Sequence, residues 1–129
     1  IFKTSTGEYV NAVFIEQELS KNTYVEIAVI FANNRQYVSA LLFVDKDKYI
    51  SRKDKNLSIE EYYSDISILN EIKEDLEQTN NKISKTEKVI KYKLITNDIS
   101  IEAGELTPSM KICRNKIEVI YKDEIQSMY

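Results

Sequence analysis

The chain has 129 residues, 43% of them hydrophobic and 30% charged, which is typical of one globular domain with its own core. Its formal net charge is −3 and lysines are interleaved with carboxylates, so nothing favours a nucleic-acid partner. Histidine is absent and Cys113 is the only cysteine, which excludes His-dependent nucleophiles, an internal disulfide and a zinc site built from Cys or His. We assign no metal ligand to the chain.

The longest apolar runs, "IAVIFA" and "ALLFV", are much shorter than a membrane span. No secretory or transit signal opens the sequence. The first residues, "IFKTSTG", lack a methionine and start within an alternating pattern. We therefore expect a piece of a longer protein.

The first third of the sequence predicts a hairpin, a helix and two strands. "IFKTSTGEYV" alternates apolar and polar residues around Gly7, as a short hairpin does. Asn11 can cap a helix that ends at "SKN". "TYVEIAVIFA" and "QYVSALLFV" are rich in β-branched and aromatic residues and are separated by the turn "NNR". They predict the centre of an antiparallel sheet that helices cover.

The middle of the sequence changes to helical spacing in "NLSIEEYYSDISILNEIKEDLEQTNN". Ser58 and Glu61 fit a capping box, and a break near Ser64 or Asp65 would divide the segment into two helices. "KVIKYKLIT" predicts a further strand, and "NDISIEAGELTPSMKICR" a long connection of the kind that is often functional.

The last segment, "NKIEVIYKDEIQSMY", predicts a closing helix that Asn115 and Glu118 can cap. Its expected apolar face is formed by Ile117, Ile120, Tyr121, Ile125 and Met128. The sum is an α+β fold: a small, mostly antiparallel sheet with helices packed on it.

Two stretches could carry chemistry, and each contains one of the two glycines. The first is "KTSTGEYVNAVFIE". The second is "GELTPSMKICR", in which Thr107 and Pro108 fix a turn before Lys111. Because exposed lysines are common, the residues alone leave open whether Lys111 has a role or lies in a turn without one.

The two stretches together resemble motifs of the C-terminal domain of the adenylate-forming acyl-CoA synthetases, particularly the long-chain fatty acid–CoA ligases. The first follows the pattern K-T-x-x-G-E-x-V-x-P-x-x-I-E, and the second follows G-x-L-T-P-T-x-K-x-K-R. There are departures: Ala12 stands at the usual proline, Ser109 at a threonine and Cys113 at a basic residue. None of them removes Lys111. The resemblance covers the whole chain, 1–129, as a single C-terminal domain.

The resemblance implies a mobile lid on a larger N-terminal domain, which is absent from this chain. Such enzymes make an acyl-adenylate from a fatty acid and Mg²⁺-ATP and then transfer the acyl group to coenzyme A. ATP and Mg²⁺ would be bound mainly by the N-terminal domain, and the hinge residue and phosphate loop would lie outside this sequence. The implied enzyme is cytoplasmic, with peripheral membrane association of the full-length protein left open, and the fragment alone is expected to be inactive.

The resemblance also implies residue roles. Lys111 matches the catalytic lysine of adenylate formation, and Gly7 matches the glycine of the loop beside which coenzyme A passes. The same passage would be lined by the cofactor-binding residues Ser5, Thr6 and Glu8. Lys3, the other cofactor-binding candidate of this loop, would support the loop or contact a phosphate of coenzyme A, with the alternative of an exposed strand lysine left open. Arg114 would anchor its loop or contact nucleotide, and Glu16 would stabilise its helix and the loop before it.

Two alternatives remain. One is the equivalent domain of another adenylating ligase, such as an acyl–acyl-carrier-protein, aryl-CoA or medium-chain enzyme. The other is a non-enzymatic interaction module in which both glycine-containing stretches are only turns.

Overall fold

The computed structural model describes residues 2–51 and 57–129. Ile1 and Asn56, which begin two of the segments discussed above, lie outside the described residues. The strands are β1 (Phe2–Lys3), β2 (Tyr9–Val10), β3 (Val25–Phe31), β4 (Val38–Val44) and β5 (Val89–Ile95). The helices are α1 (Ala12–Leu19), α2 (Lys46–Ile50), α3 (Ile59–Tyr62), α4 (Ile66–Asn80), α5 (Arg114–Ile120) and α6 (Lys122–Gln126), with a 3₁₀ helix at Lys85–Glu87.

Strands β1 and β2 form an antiparallel pair, and the other three form a sheet in the order β3-β4-β5. Strand β4 runs antiparallel to β3 and parallel to β5. The parallel pairing follows from the long crossover through α2, α3 and α4, which returns the chain to the same end of the sheet. The α+β class and the mostly antiparallel pairing predicted from the sequence are confirmed among the described residues.

Every residue of β4 is buried, because this strand is flanked on both edges and covered on both faces. Ala40, Leu42 and Val44 face a core formed with α1, α3 and α4. Leu41 and Phe43 face a second core formed with α5 and α6. The sheet therefore separates two apolar layers, as the near-continuous hydrophobic run "YVSALLFV" predicts.

The helix starts expected from capping residues are confirmed. The side chain of Asn11 accepts a hydrogen bond from the Phe14 amide at 3.2 Å and begins α1. Ser58 and Glu61 form the reciprocal capping box of α3. The predicted break is also present, because Asp65 caps α4 separately.

The closing helix differs from its prediction. Cys113 precedes α5 without a side-chain capping bond, so Asn115 and Glu118 lie inside the helix and do not cap it. The helix is interrupted at Tyr121, where α6 follows after a non-helical residue. Ile117, Tyr121, Ile125 and Met128 are buried as predicted, whereas Ile120 is 43% exposed, where the sequence predicts a core position.

Helix α2 was not predicted from the sequence. It is five residues long, Asp45 caps it, and none of its residues is buried. A helix without a buried face has no apolar periodicity to detect. No helix within 2–51 or 57–129 has the length and apolar character needed to cross a bilayer.

Candidate functional site

The first candidate loop is a tight hairpin from Thr4 to Glu8, between β1 and β2. The Thr4 amide donates to the Glu8 carbonyl at 2.9 Å, and the Gly7 amide donates to the Thr4 carbonyl at 3.0 Å. Gly7 has φ +90°, a conformation that favours glycine. A Cβ added at Gly7 would have only the Lys3 Cε atom nearby, at 4.0 Å, so the space in front of the glycine is open.

The five predicted coenzyme A-binding residues, Lys3, Ser5, Thr6, Gly7 and Glu8, are all exposed and lie in this one hairpin. The turn between β3 and β4 supports it from below. The Ser5 amide donates to the Arg35 carbonyl and the Asn34 amide to the Lys3 carbonyl, each at 2.9 Å. These bonds hold the start of the hairpin against the sheet, and its residues Ser5 to Glu8 are exposed to solvent.

The second candidate loop is a hairpin that ends at Lys111. Leu106 and Ile112 form an isolated antiparallel bridge at its base. The Thr107 amide donates to the Lys111 carbonyl, and the Met110 amide to the Thr107 carbonyl, each at 2.8 Å. Pro108 is the second residue of this four-residue turn, a position that the fixed φ angle of proline favours. The predicted turn before Lys111 is confirmed. Lys111 itself is exposed.

A buried glutamate holds the base of the Lys111 hairpin. Glu105 is 2% exposed, and its Oε1 atom accepts from the Ser100 amide at 3.1 Å. Its carbonyl accepts from the Cys113 amide at 2.8 Å. The preceding residue, Gly104, has φ +80°, so both glycines are used for left-handed backbone, as their scarcity suggested. The long connection between β5 and α5 therefore has no regular helix or strand, but hydrogen bonds hold it in place.

An ion pair joins α1, the helix that follows the first candidate loop, to α5, the helix that follows the second. Arg114, the first residue of α5, donates from Nη1 and Nη2 to the two carboxylate oxygens of Glu16 at 2.8 and 3.3 Å. Glu16 lies on α1 and also accepts from the Ile30 amide of β3 at 2.9 Å. The Arg114 guanidinium lies 4.9 Å from the centre of the Phe2 ring. One carboxylate thus connects α1, α5 and the sheet.

Burial raises the pKa of the Glu16 carboxyl above its usual 4.5, and the Arg114 cation and the Ile30 amide only partly oppose this. The side chains of Glu16 and Arg114 are 9% and 20% exposed. Both carboxylate oxygens of Glu16 accept hydrogen bonds from Arg114, and one also accepts from the Ile30 amide. Glu16 therefore stabilises the fold and is not placed to act as a solvent-exposed general base. Arg114 has the geometry of a loop anchor, and a nucleotide contact for it stays a prediction.

The structure therefore places the predicted residues in three groups: the five residues of the Gly7 hairpin, Lys111 on the second hairpin, and Arg114 between the two helices. Sequence reasoning placed Thr107 in the turn before Lys111, but it missed the hydrogen bond that the Thr107 hydroxyl accepts there and the matching bond to Thr4. The shared pattern Thr-x-Ser/Thr in "TST" and "TPS" is the signal that could have found them. Within the described ranges, no group of three or more His, Cys, Asp or Glu residues is arranged to hold a metal ion.

The chain as a whole matches a known class of proteins. Residues 1–129 match the family model described as the AMP-binding enzyme C-terminal domain, and the chain belongs to this family of adenylate-forming ligases.

Similar curated proteins are ligases of long-chain fatty acids. The chain is 25% identical over 134 residues to the long-chain-fatty-acid–CoA ligase FadD15 of Mycobacterium tuberculosis, covering 100% of this chain and 22% of that protein. It is 27% identical over 126 residues to the chloroplastic long-chain-fatty-acid–[acyl-carrier-protein] ligase AEE15 of Arabidopsis thaliana, covering 97% of this chain and 16% of that protein. The chain therefore spans about a fifth of the length of these relatives.

Solved structures share the fold. The adenylation domain of a carboxylate reductase from Mycobacterium chelonae has a TM-score of 0.78 at 20% identity, over 99% of this chain and 19% of that chain. The A-PCP didomain of a carboxylic acid reductase from Segniliparus rugosus, a complex with AMP, has a TM-score of 0.75 at 17% identity, over 98% of this chain and 17% of that chain. At such identities the likeness establishes the fold alone.

Proposed function

We propose that residues 1–129 form the C-terminal lid domain of a long-chain fatty acid–CoA ligase. A larger N-terminal domain of the same protein would hold the fatty acid and Mg²⁺-ATP. The whole enzyme would convert the fatty acid to acyl-AMP and then transfer the acyl group to coenzyme A. The observation that carries the proposal is that both family motifs form exposed, well-supported hairpins in a chain whose full length matches the family.

Lys111 would act in the first half-reaction. There a carboxylate oxygen of the fatty acid bonds to the α-phosphorus of ATP, and pyrophosphate leaves. Both reactants are anionic, so a compact cation that contacts them offsets their repulsion and stabilises the charge of the transition state. An exposed lysine at the end of a hydrogen-bonded hairpin is suited to this task, and no proton transfer through histidine is required.

The Gly7 hairpin would act in the second half-reaction, in which the coenzyme A sulfur bonds to the acyl carbon and AMP leaves. The space in front of Gly7 is open, so an extended thiol-bearing chain could lie against the backbone there. Ser5, Thr6 and Glu8 offer polar groups along the same surface. Lys3 adds a cation whose amine lies 5.7 Å from the centre of the Tyr9 ring.

Two substitutions in the full-length enzyme test the assignment. Lys111→Ala is expected to suppress acyl-AMP formation, measured by pyrophosphate release, and to spare transfer from preformed acyl-AMP to coenzyme A. Gly7→Leu is expected to do the reverse. Lys73→Ala, which removes an exposed lysine of α4, is the matched control and should leave both rates unchanged. Equal loss of both steps in both variants would mean that the hairpins only maintain the fold.

A second candidate differs in the acceptor. The similarity to the Arabidopsis acyl-carrier-protein ligase favours a domain that receives a protein-bound thiol in place of coenzyme A. The full-length enzyme would be given acyl-AMP with each acceptor in turn. Faster transfer to the carrier protein would support this candidate, and faster transfer to coenzyme A would reject it.

A further inference from the structure

The Gly7 and Lys111 hairpins, which are distant in the sequence, are the same turn built twice. In each, a threonine hydroxyl oxygen accepts a hydrogen bond from the amide four residues later. Thr4 accepts from the Glu8 amide and Thr107 from the Lys111 amide, at 3.0 Å in both cases. The threonine backbone also makes the same two bonds in both hairpins, with lengths that agree within a few tenths of an ångström.

The correspondence extends to a second hydroxyl. The Thr4 Oγ1 atom lies 3.0 Å from the Thr6 hydroxyl, and the Thr107 Oγ1 atom lies 3.0 Å from the Ser109 hydroxyl. Ser109 departs from the family's threonine but keeps the oxygen that this contact needs. The element that the two turns share is therefore a pair of hydroxyls two residues apart.

Both turns also place their fourth residue in the left-handed region. Gly7 has φ +90°, and Met110 has φ +66°. Methionine adopts this conformation at a cost, because its Cβ approaches backbone atoms. The Lys111 turn must therefore be held by other bonds, and the Thr107 hydroxyl supplies one at the residue that follows Met110.

We infer that Thr4 and Thr107 are matched positioning residues, each of which fixes one hairpin tip for one half-reaction. Thr107 sets the backbone of Lys111 and so the direction in which its side chain leaves the hairpin. Thr4, which is 5% exposed, sets the backbone on either side of Gly7 and keeps the space in front of it open. Neither threonine contacts a reacting group. The inference rests on the proposed function.

The test uses valine and serine substitutions in the full-length enzyme. Valine keeps the shape of threonine but has no oxygen, whereas serine keeps the oxygen. Thr107→Val should lower the rate of acyl-AMP formation about tenfold, the change that follows from losing one or two neutral hydrogen bonds. Transfer from preformed acyl-AMP should stay close to the wild-type rate. Thr4→Val should show the opposite selectivity.

Serine rescue separates positioning from general stability. Thr107→Ser and Thr4→Ser should restore the affected step, because each keeps the oxygen that accepts the amide. Thr86→Val, at an exposed threonine of the 3₁₀ helix, should change neither step. Thermal unfolding of every variant shows whether a rate change accompanies loss of the fold.

Equal loss of both steps in either valine variant, or serine variants as impaired as the valine ones, would overturn the inference. Lys111→Ala in the same experiment separates failure of the inference about the threonines from failure of the proposed function. If it suppresses acyl-AMP formation and Thr107→Val does not, the proposed function stands and only the inference fails. If it leaves acyl-AMP formation intact, the proposed function fails and the inference fails with it.

Discussion

Replacing Arg114 with methionine would remove the cation from Glu16 and keep most of the side-chain volume. Glu16 would then be left as a buried carboxylate with the Ile30 amide as its remaining donor. Removing one partner of a buried ion pair costs about 3–5 kcal/mol. Because Arg114 is 20% exposed and water can partly replace it, we expect the lower end, about 3 kcal/mol. That is a large part of the roughly 5–15 kcal/mol by which domains are stable.

The pH dependence of this loss follows from the pKa of Glu16. Burial already raises the pKa of this carboxyl above 4.5, and Arg114 opposes the rise, so Arg114→Met must raise it further. The folded variant then binds a proton more tightly than the unfolded chain does. Its stability is fullest below the unfolded pKa and falls as pH rises through the folded pKa, by up to about 1.4 kcal/mol per pH unit.

Urea unfolding of the 129-residue chain, followed by circular dichroism at pH 5 and pH 8, measures the effect. The deficit of Arg114→Met relative to wild type should be larger at pH 8. Adding Glu16→Gln should recover much of the stability at pH 8, because the amide is neutral and can still accept from Ile30. Arg35→Met, which removes an arginine lying over the Tyr129 ring, is a control and should give a deficit that does not change with pH.

A deficit of Arg114→Met that is the same at both pH values would refute this reasoning. So would a double variant with Glu16→Gln that is no more stable than Arg114→Met alone. Either result would mean that the arginine stabilises the fold through packing on Phe2 and not through its charge.

Two further predictions concern the core. Burial raises the phenol pKa values of Tyr63, Tyr121 and Tyr129 above 10.0, so the stability they contribute is present below pH 10 and is lost as pH rises beyond it. The tyrosinate absorbance of these three phenols should therefore appear only together with loss of circular dichroism in an alkaline titration, and ionisation of all nine tyrosines while the fold persists would contradict this. Ile72→Ala should lower the free energy of unfolding by about 2–5 kcal/mol because Ile72 is fully buried, whereas Ile66→Ala, at a position 76% exposed on the same helix, should change it little. Similar losses in urea unfolding for the two isoleucines would show that the packing of α4 is misassigned.

The features that were predicted correctly are local ones. The Asn11 cap, the Ser58 capping box and the break before Asp65 depend on residues within one helical turn of each other, so the sequence displays them directly. The uniform burial of β4 follows in the same way from its unbroken apolar run.

The features that were missed depend on distant parts of the chain or on a single dihedral angle. Glu16 and Arg114 are 98 positions apart, and their pairing has no local pattern. The parallel pairing of β5 with β4 depends on the path of three helices between them. The left-handed conformation of Met110 has no sequence signal, since methionine rarely adopts it. Motif likeness located the candidate loops, but it did not show that the two share one turn.

The position of Glu16 has a consequence for movement of the domain. The helix that follows the Gly7 hairpin and the helix that follows the Lys111 hairpin are fixed to each other through this carboxylate and, through Ile30, to the sheet. These bonds therefore hold the roots of the two hairpins at one separation and angle in the structure. In the proposed enzyme, a rotation of the domain that brings one tip to a substrate would carry the other through the same angle. In the proposed enzyme, the exchange between half-reactions would require bending only in the connection to the larger domain, with no rearrangement inside this fold.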